Sequence, residues 1–380
     1  MGDLQERVLE EVKRSWDFEI INCTKFSGGC KETALYKIQT AKGDFVIRAY
    51  PPTYNFQEKN KLWEIKFLQY LNTKNFPCFS YIPAKSGESI VRFKCGDDEV
   101  HLNFCNHFYA LTHFLQDGYL TCITFVEGEH ILEDEREDWQ IEAVGKLVSE
   151  LTTHSVNFKK MVFQEGHDHD FPESVVHPFA IPCYFEGYEE KIGRYPNISE
   201  TRKKEISQKL NFLLDTFNQT NFNELDLPFH YDGTQKPFEP INGLSWGFIH
   251  QDIHDENLFF DRESKKISGL VDWEDVCVTY YIQELALALI SWCPELNKWN
   301  LKYMKIILEN YTKSKSLSKE EKMKLKDFIL LSIMYYYGSH LSLFDSFEID
   351  CQYIPITIDA FYEFVTMNDT VMAEVLSELP

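Results

Sequence analysis

Apolar and polar positions follow two rhythms along this chain, and the changes between them mark out its elements. Ala34-Leu-Tyr-Lys-Ile-Gln-Thr alternates with the two-residue period of a half-buried strand, the second of three, and Asp44-Phe-Val-Ile-Arg-Ala-Tyr continues as the third, mostly apolar. Lys42-Gly43 turns the chain between them, Phe26-Ser-Gly28-Gly29 supplies a glycine turn before them, and Pro51-Pro52 ends the run. This predicts a β-turn-β-turn-β order. Leu62, Ile65, Leu68 and Leu71 recur at helical spacing and predict a helix over 57–71. Two aromatic strands, 100–113 and 119–126, flank Asp117-Gly118, a pair suited to a type I′ turn. Helices are expected over 138–154 and 200–217. Trp246 to Ile249 reads as a short buried strand, 250–257 as a polar loop, and Leu258-Phe-Phe with Ile267 to Val271 as the arms of a hairpin. The apolar stretch Tyr281 to Trp292 predicts a further helix.

The polar loop carries the candidate chemistry. It runs Gly247-Phe-Ile-His250-Gln-Asp252-Ile-His-Asp-Glu-Asn257-Leu-Phe-Phe, and Gly269-Leu-Val-Asp272-Trp-Glu closes the hairpin after it. In-line transfer of a γ-phosphoryl group needs a carboxylate to orient the attacking hydroxyl and oxygen ligands that hold Mg²⁺ against the phosphates. Asp252 suits the first task, Asn257 and Asp272 the second. Asp and Asn in loops often do no more than cap turns. Here the spacing, the apolar strands on both sides and the helix that follows favour the chemical reading.

The order His-x-Asp-x-x-x-x-Asn, a short hairpin, then Asp-Trp-Glu resembles the catalytic segment of the kinase-like fold. More narrowly it resembles the aminoglycoside phosphotransferase and choline kinase superfamily, which includes homoserine and hydroxylysine kinases. Protein kinases usually carry Lys two positions after the catalytic Asp and a long activation segment ending in Ala-Pro-Glu; here His254 stands at the first place and the second is missing. The resemblance therefore implies a small-molecule kinase. Its fold would be α+β and bilobal, protein-kinase-like, with a small β-rich nucleotide-binding lobe over 1–126 and a larger, mainly helical catalytic and acceptor-binding lobe over 127–380. Residues 165–240 would be an insertion contributing to the acceptor site.

The resemblance also implies roles. Asp252 would orient the acceptor hydroxyl and take its proton, while Asn257 and Asp272 would ligate Mg²⁺. Gly28 and Gly29 would let backbone N–H groups approach the phosphates of ATP, with GTP as the alternative nucleotide; by themselves they are a turn. Arg48 occupies the place of the phosphate-binding Lys of the third strand and can grip two phosphate oxygens at once. Glu64 aligns with the helix glutamate that pairs this cation, and Glu58 is its rival. Phe125 and Glu127 fall in Thr121-Cys-Ile-Thr-Phe-Val-Glu-Gly128, which resembles the strand-to-hinge passage where backbone groups read the adenine edge. His250 and Glu284 would brace the loop. Glu274 and Asp275 are candidate contacts for the acceptor. Gln251 departs from the Gly, Asn or Arg common at its place, and Glu274 from the Gly of protein kinases. The stretch from Glu284 looks closer to the homoserine and hydroxylysine kinase branch than to the choline one. A catalytically weak or inert member of the fold, binding nucleotide or a partner protein, is the competing class; Arg48 in place of Lys leans toward it and the three retained loop residues lean against it.

Composition narrows the partners. The 380 residues suffice for two cores, and 44% hydrophobic with 15% aromatic content suits deep packing. The formal net charge of −22 argues against nucleic acid or an anionic membrane as partner. It either steers a cationic small-molecule acceptor toward the protein or serves solubility alone. The 10 cysteines include no Cys-x-x-Cys pair, and no signal-peptide pattern or bilayer-length apolar run is seen, so reduced thiols and a cytoplasmic location are expected, as monomer or homodimer. His167 and His169 read as part of a solvated loop. The acidic run from Glu127 to Asp138 either flanks the acceptor cleft or favours a helix start.

Overall fold

The computed structural model describes residues 2–26, 33–50, 58–94, 117–166, 171, 181–220, 222, 241, 243–343, 353–367 and 369–379. The chain divides into two units, Met1–Glu127 and Gly128–Pro380. The first holds one sheet with two helices and the second is mainly helical, the α+β composition expected.

The first unit contains α1 (Gly2–Ser15), β1 (Ile20–Lys25), β2 (Ala34–Thr40), β3 (Gly43–Tyr50), α2 (Glu58–Asn72), β4 (Val91–Lys94) and β5 (Asp117–Thr124). Its antiparallel sheet has the order β1-β2-β3-β5-β4. Val8, Val12 and Trp16 follow one face of α1 and bury against Tyr36, Ile38, Ile47, Leu120 and Cys122. The Trp16 indole N–H donates to the Ile82 carbonyl at 2.9 Å, satisfying the polar edge of the buried ring.

Two expectations change here. Asp117 and Gly118 lie inside β5, opposite Lys94 and Phe93, because pairing with β4 uses their backbone in a ladder and not in a turn. The strand expected over 100–113 lies outside the described residues, as do Gly28, Gly29 and the Pro51-Pro52 stop. On α2, Leu62 is 53% exposed; the inner stripe is Lys61, Glu64, Ile65, Leu68 and Leu71, so two charged residues share the face that the apolar spacing placed on leucines.

The second unit contains α3 (Asp138–Gln164), α4 (Ile181–Tyr184), α5 (Tyr188–Gly193), α6 (Glu200–Gln219), β6 (Trp246–Ile249), β7 (Leu258–Asp261), β8 (Lys266–Leu270), β9 (Cys277–Tyr280), α7 (Tyr281–Trp292), β10 (Pro294–Glu295), β11 (Lys298–Trp299), α8 (Leu301–Thr312), α9 (Lys319–Leu343), α10 (Tyr353–Thr366) and α11 (Asp369–Ser377). A capping box starts α3, with Glu137 and Gln140 satisfying each other's backbone N–H groups, and the helix runs ten residues past the expected His154. It packs on α8 so closely that a Cβ on Gly145 would meet the Ile307 carbonyl at 2.7 Å. In α7 every residue but Ser291 is buried, as befits an apolar helix with no polar face. Within 165–240, α6 buries Ile206, Leu210, Leu213 and Phe217, and its Arg202 and Lys209 both pair with Asp359 of α10. Among the described residues no helix is long and apolar enough to cross a membrane.

The loop of interest is strung between two short ladders. β6 pairs with β9, Phe248 opposite Val278 and Ile249 opposite Cys277, and β7 pairs with β8, Leu258 opposite Leu270. Gly247 permits this: any Cβ there would collide with the Tyr281 hydroxyl at the start of α7. Both ends of the 250–257 loop and the start of the 271–276 loop are thereby fixed by buried apolar strands.

Candidate active site

His250 is fully buried and works through both ring nitrogens. Nε2 donates to the Val271 carbonyl at 2.9 Å, and Nδ1 accepts the Asp252 backbone N–H at 3.1 Å. The ring also meets Trp273 edge-on, centroids 4.6 Å apart. Burial is the main cause that holds its pKa down to about 4, against the pull of nearby Asp252. A neutral imidazole with both nitrogens committed is a tie between the two loops and has no free nitrogen to take up a proton.

Gln251 adopts φ 74°, a left-handed conformation costly for a residue with a Cβ. Its N–H donates to Glu284 Oε2 at 2.9 Å, an anchor from the first turn of α7. Burial dominates at Glu284 and raises its pKa to about 8, with the backbone donors of Gln251 and His250 opposing. It thereby ties the start of α7 to the 250–257 loop.

Asp252 is held at both oxygens. Oδ2 accepts the Asn257 side-chain amide at 2.8 Å and lies 3.3 Å from His254 Nε2, while Oδ1 accepts the Tyr336 hydroxyl of α9 at 2.5 Å. Burial opposes its ionisation, but these bonds and the His254 charge outweigh it and bring the pKa down to about 2. For His254 burial likewise opposes charge, and the bonds to Asp252 and Asp255 overcome it, raising the pKa to about 10. His254 Nδ1 accepts the Glu256 N–H at 3.2 Å and lies 3.7 Å from Asp255 Oδ1. Arg136 secures Asp255 in turn at 3.0 Å. The outcome is a carboxylate held ionised by the donors around it.

Asn257 closes the loop. Its side-chain nitrogen also donates to the Asp252 carbonyl at 2.9 Å, and its own carbonyl accepts the Val271 N–H at 3.0 Å. That last bond fixes the chain immediately before Asp272, which is half-buried with φ 60°. Two non-glycine residues in the left-handed region within one small site point to a geometry imposed by its surroundings. Glu274 is half-buried and Asp275 exposed on the following turn. With the Asn257 nitrogen committed to Asp252, a metal would meet the carbonyl oxygen Oδ1. Together with the Asp272 carboxylate this is a hard oxygen donor set that fits Mg²⁺. Among the described residues no group of three or more His, Cys, Asp and Glu could hold a metal, so such an ion would complete its shell with water or phosphate.

In the first unit Arg48 is 8% and Glu64 1% exposed, and Arg48 Nη1 lies 4.0 Å from Glu64 Oε1. That pairing was expected, but Glu64 has closer partners. Lys61 Nζ reaches Oε2 at 2.5 Å, and the Tyr81 hydroxyl donates to Oε1 at 2.5 Å. Glu58, the rival, is bound instead to Arg92 at 3.2 Å. Phe125 is half-buried with Lys37 Nζ 3.7 Å from its ring centre, its N–H donating to the Asp44 carbonyl at 3.2 Å; Glu127 is exposed. Four residues of these sites were not anticipated in their parts. Lys61 and His254 had a local signal, at three residues before Glu64 and two after Asp252. Tyr81 and Tyr336 had none, since only the tertiary fold brings them to their carboxylates.

Comparison with known proteins gives one consistent direction. The model of the phosphotransferase enzyme family, APH, matches residues 22–313. A homoserine kinase of Mesorhizobium japonicum is 39% identical over 84 residues, 22% of this chain and 26% of that protein. A homoserine kinase of Bartonella tribocorum is 35% identical over 79 residues, 20% and 24% of the two chains. The chain thus spans only about a quarter of the length of these curated relatives. Among solved structures, an amicoumacin kinase in complex with AMP-PNP and Ca²⁺ superposes with TM-score 0.61 at 13% identity over 97% of each chain. A microcompartment-associated aminopropanol kinase gives TM-score 0.55 at 12% identity, covering 98% of this chain and 99% of that one. At such identities the likeness is one of fold.

Proposed function

The chain belongs to the phosphotransferase enzyme family, and we propose that it moves the γ-phosphate of MgATP to a hydroxyl of a small, amine-bearing molecule. The observation that carries this reading is the Asp252 carboxylate, ionised and held at both oxygens, on a loop whose Asn257 is bonded to the residue before Asp272. Asp252 accepts the hydrogen bond of the acceptor hydroxyl and aims its oxygen at the γ-phosphorus. As the new O–P bond forms and the bond to the β,γ-bridging oxygen breaks, the hydroxyl proton passes to Asp252 and ADP leaves. A carboxylate this acidic is a weak base, which suits late proton transfer with orientation as its main task. Bound Mg²⁺ neutralises charge on the phosphates, and Asn257 Oδ1 with Asp272 would hold it. Arg48, backed by Glu64, is the proposed phosphate-binding cation of the first unit.

The amine on the acceptor is inferred from charge: the net −22 of the chain, with Glu274 and Asp275 directly after Trp273. Homoserine and aminopropanol, named for the relatives above, are acceptors of this class. Isothermal titration with MgATP should give a binding isotherm. An ADP-release screen over homoserine, hydroxylysine, choline, aminopropanol, an aminoglycoside and a neutral sugar should then show turnover with an amine, its KM rising with salt because screening sets in over about 8 Å at physiological ionic strength. No binding at millimolar MgATP would remove the phosphotransferase reading. Preference for the sugar, or a KM indifferent to salt, would remove only the amine.

A further inference from the structure

We propose that Tyr336 is an acceptor-positioning residue, sharing Asp252 Oδ1 with the hydroxyl that receives the phosphate. The inference rests on the phosphotransferase reading above and extends it to a residue outside the catalytic segment.

The argument is one of occupancy around a single carboxylate. Oδ2 of Asp252 is crowded by its own loop, with the Asn257 amide at 2.8 Å and His254 Nε2 at 3.3 Å. An incoming hydroxyl therefore has Oδ1 as its place to bind. That oxygen already takes the Tyr336 hydroxyl at 2.5 Å, and a carboxylate oxygen has a second lone pair to offer. With Tyr336 filling one lone-pair direction, the other is the single direction left, and the acceptor must lie alongside the tyrosine ring. The contact spans 84 residues of sequence, so it is a feature of the tertiary fold and not of the loop.

The surroundings agree. Tyr336 and Asp252 are both half-buried, at the boundary where a small molecule can reach them. One turn earlier on α9, Ser332 Oγ accepts the side-chain amide of Gln283 at 3.0 Å, the residue before the Glu284 that holds Gln251, so this part of the helix lies along the candidate site. Its neighbour Tyr337 turns the other way and bonds Thr357 Oγ1 of α10 at 3.0 Å within the core. Adjacent tyrosines thus divide the tasks, one at the carboxylate and one in the packing.

The test compares Tyr336→Phe with Tyr337→Phe and wild type, using homoserine and aminopropanol as acceptor probes and MgATP titration as the reference. Tyr336→Phe should lower acceptor kcat about tenfold and raise acceptor KM several-fold, while the MgATP Kd stays within about twofold. Tyr337→Phe should lower Tm and leave both constants near wild type, since it loses only a buried packing bond. A merely structural role for Tyr336 would instead lower the active fraction, reducing kcat with KM unchanged. That pattern, or an acceptor kcat/KM within about twofold of wild type, would overturn the proposal. Wild-type protein that binds no MgATP and transfers phosphate to no acceptor of the screen above would retract the functional reading itself, and this positioning role with it.

Discussion

Two regions converge on Asp252, the segment from Trp246 to Glu284 and the helix α9, and they are built on opposite plans. In the first, every partner of Asp252 is a close neighbour in sequence: His250, two residues before it, takes its backbone N–H, while His254, two after, and Asn257, five after, meet its carboxylate. Strands of four or five residues pin both loop ends, and Glu284 and Val271 tie the remainder. In the second, a long helix with its own packing partners delivers one hydroxyl to the same group from 84 residues away. A reaction geometry that must not drift is encoded locally, where the chain itself limits the distances. The proposed acceptor contact is encoded by packing, which places a single hydroxyl at the carboxylate from a distant part of the chain.

The sharpest way to break this comparison is to remove an oxygen donor from the local segment. Asp272→Ala should reduce kcat/KM on the order of 10³-fold, because electrostatic clamping of the phosphates carries most of the acceleration in phosphoryl transfer. The far-UV spectrum should stay close to wild type, as Asp272 lies at a loop end outside the ladders. A loss below about tenfold would mean that Asp272 does not serve the metal. Asp252→Asn should follow, with kcat lower by roughly 10²-fold and MgATP affinity preserved, since on the proposed reading that group meets the acceptor and not the nucleotide. Equal loss of affinity and turnover would show a collapsed loop.

The same contrast explains what could be read from the residues alone. The spacing of His250, Asp252, Asn257 and Asp272 is fixed by strand and turn lengths, and short apolar runs around a polar loop announce those lengths directly. Likewise α7 was legible as a helix because it is apolar on every face. Tyr336 was not legible: it is one of three consecutive tyrosines, and only the packing of α9 decides which of them faces the carboxylate. The inner face of α2 misled for a related reason. Counting leucines favoured Leu62, whereas Lys61 lies inward because Glu64 and Tyr81 give its ammonium group a buried network to join. Periodicity measures apolarity, and a satisfied ion pair is invisible to it.

That network offers the next test, of intermediate size. Lys61→Met keeps the length of the side chain and deletes the charge, leaving Glu64 with Arg48 at 4.0 Å and Tyr81 as its recorded partners. Breaking a buried pair in this way costs about 3 kcal/mol. Urea denaturation should therefore show a lower midpoint at unchanged slope, and the double variant Lys61→Met with Glu64→Gln should recover part of the loss. A midpoint equal to wild type in the single variant would mean that Arg48 alone satisfies Glu64.

The smallest effect concerns Glu284, at the far end of the local segment, and it is read as a slope with pH. Its folded pKa is raised by burial to about 8, above the ordinary value of 4.5. Below 4.5 the carboxyl is protonated both folded and unfolded and contributes no pH dependence. As pH rises past that point the unfolded chain releases its proton while the folded chain retains it, so stability falls by about 1.4 kcal/mol per pH unit until the folded group ionises as well. Glu284→Gln can still accept the Gln251 N–H through its amide oxygen and has no proton to lose, so this slope should vanish from its stability curve while all other titrations remain. Urea melts of both proteins at pH 5.5, 6.5 and 7.5 isolate the difference. Parallel curves would mean that the backbone N–H groups of His250 and Gln251 keep Glu284 ionised in the fold, making the brace a charged one. Diverging curves would make it a neutral one, holding Gln251 in its left-handed conformation without placing a second negative charge behind Asp252.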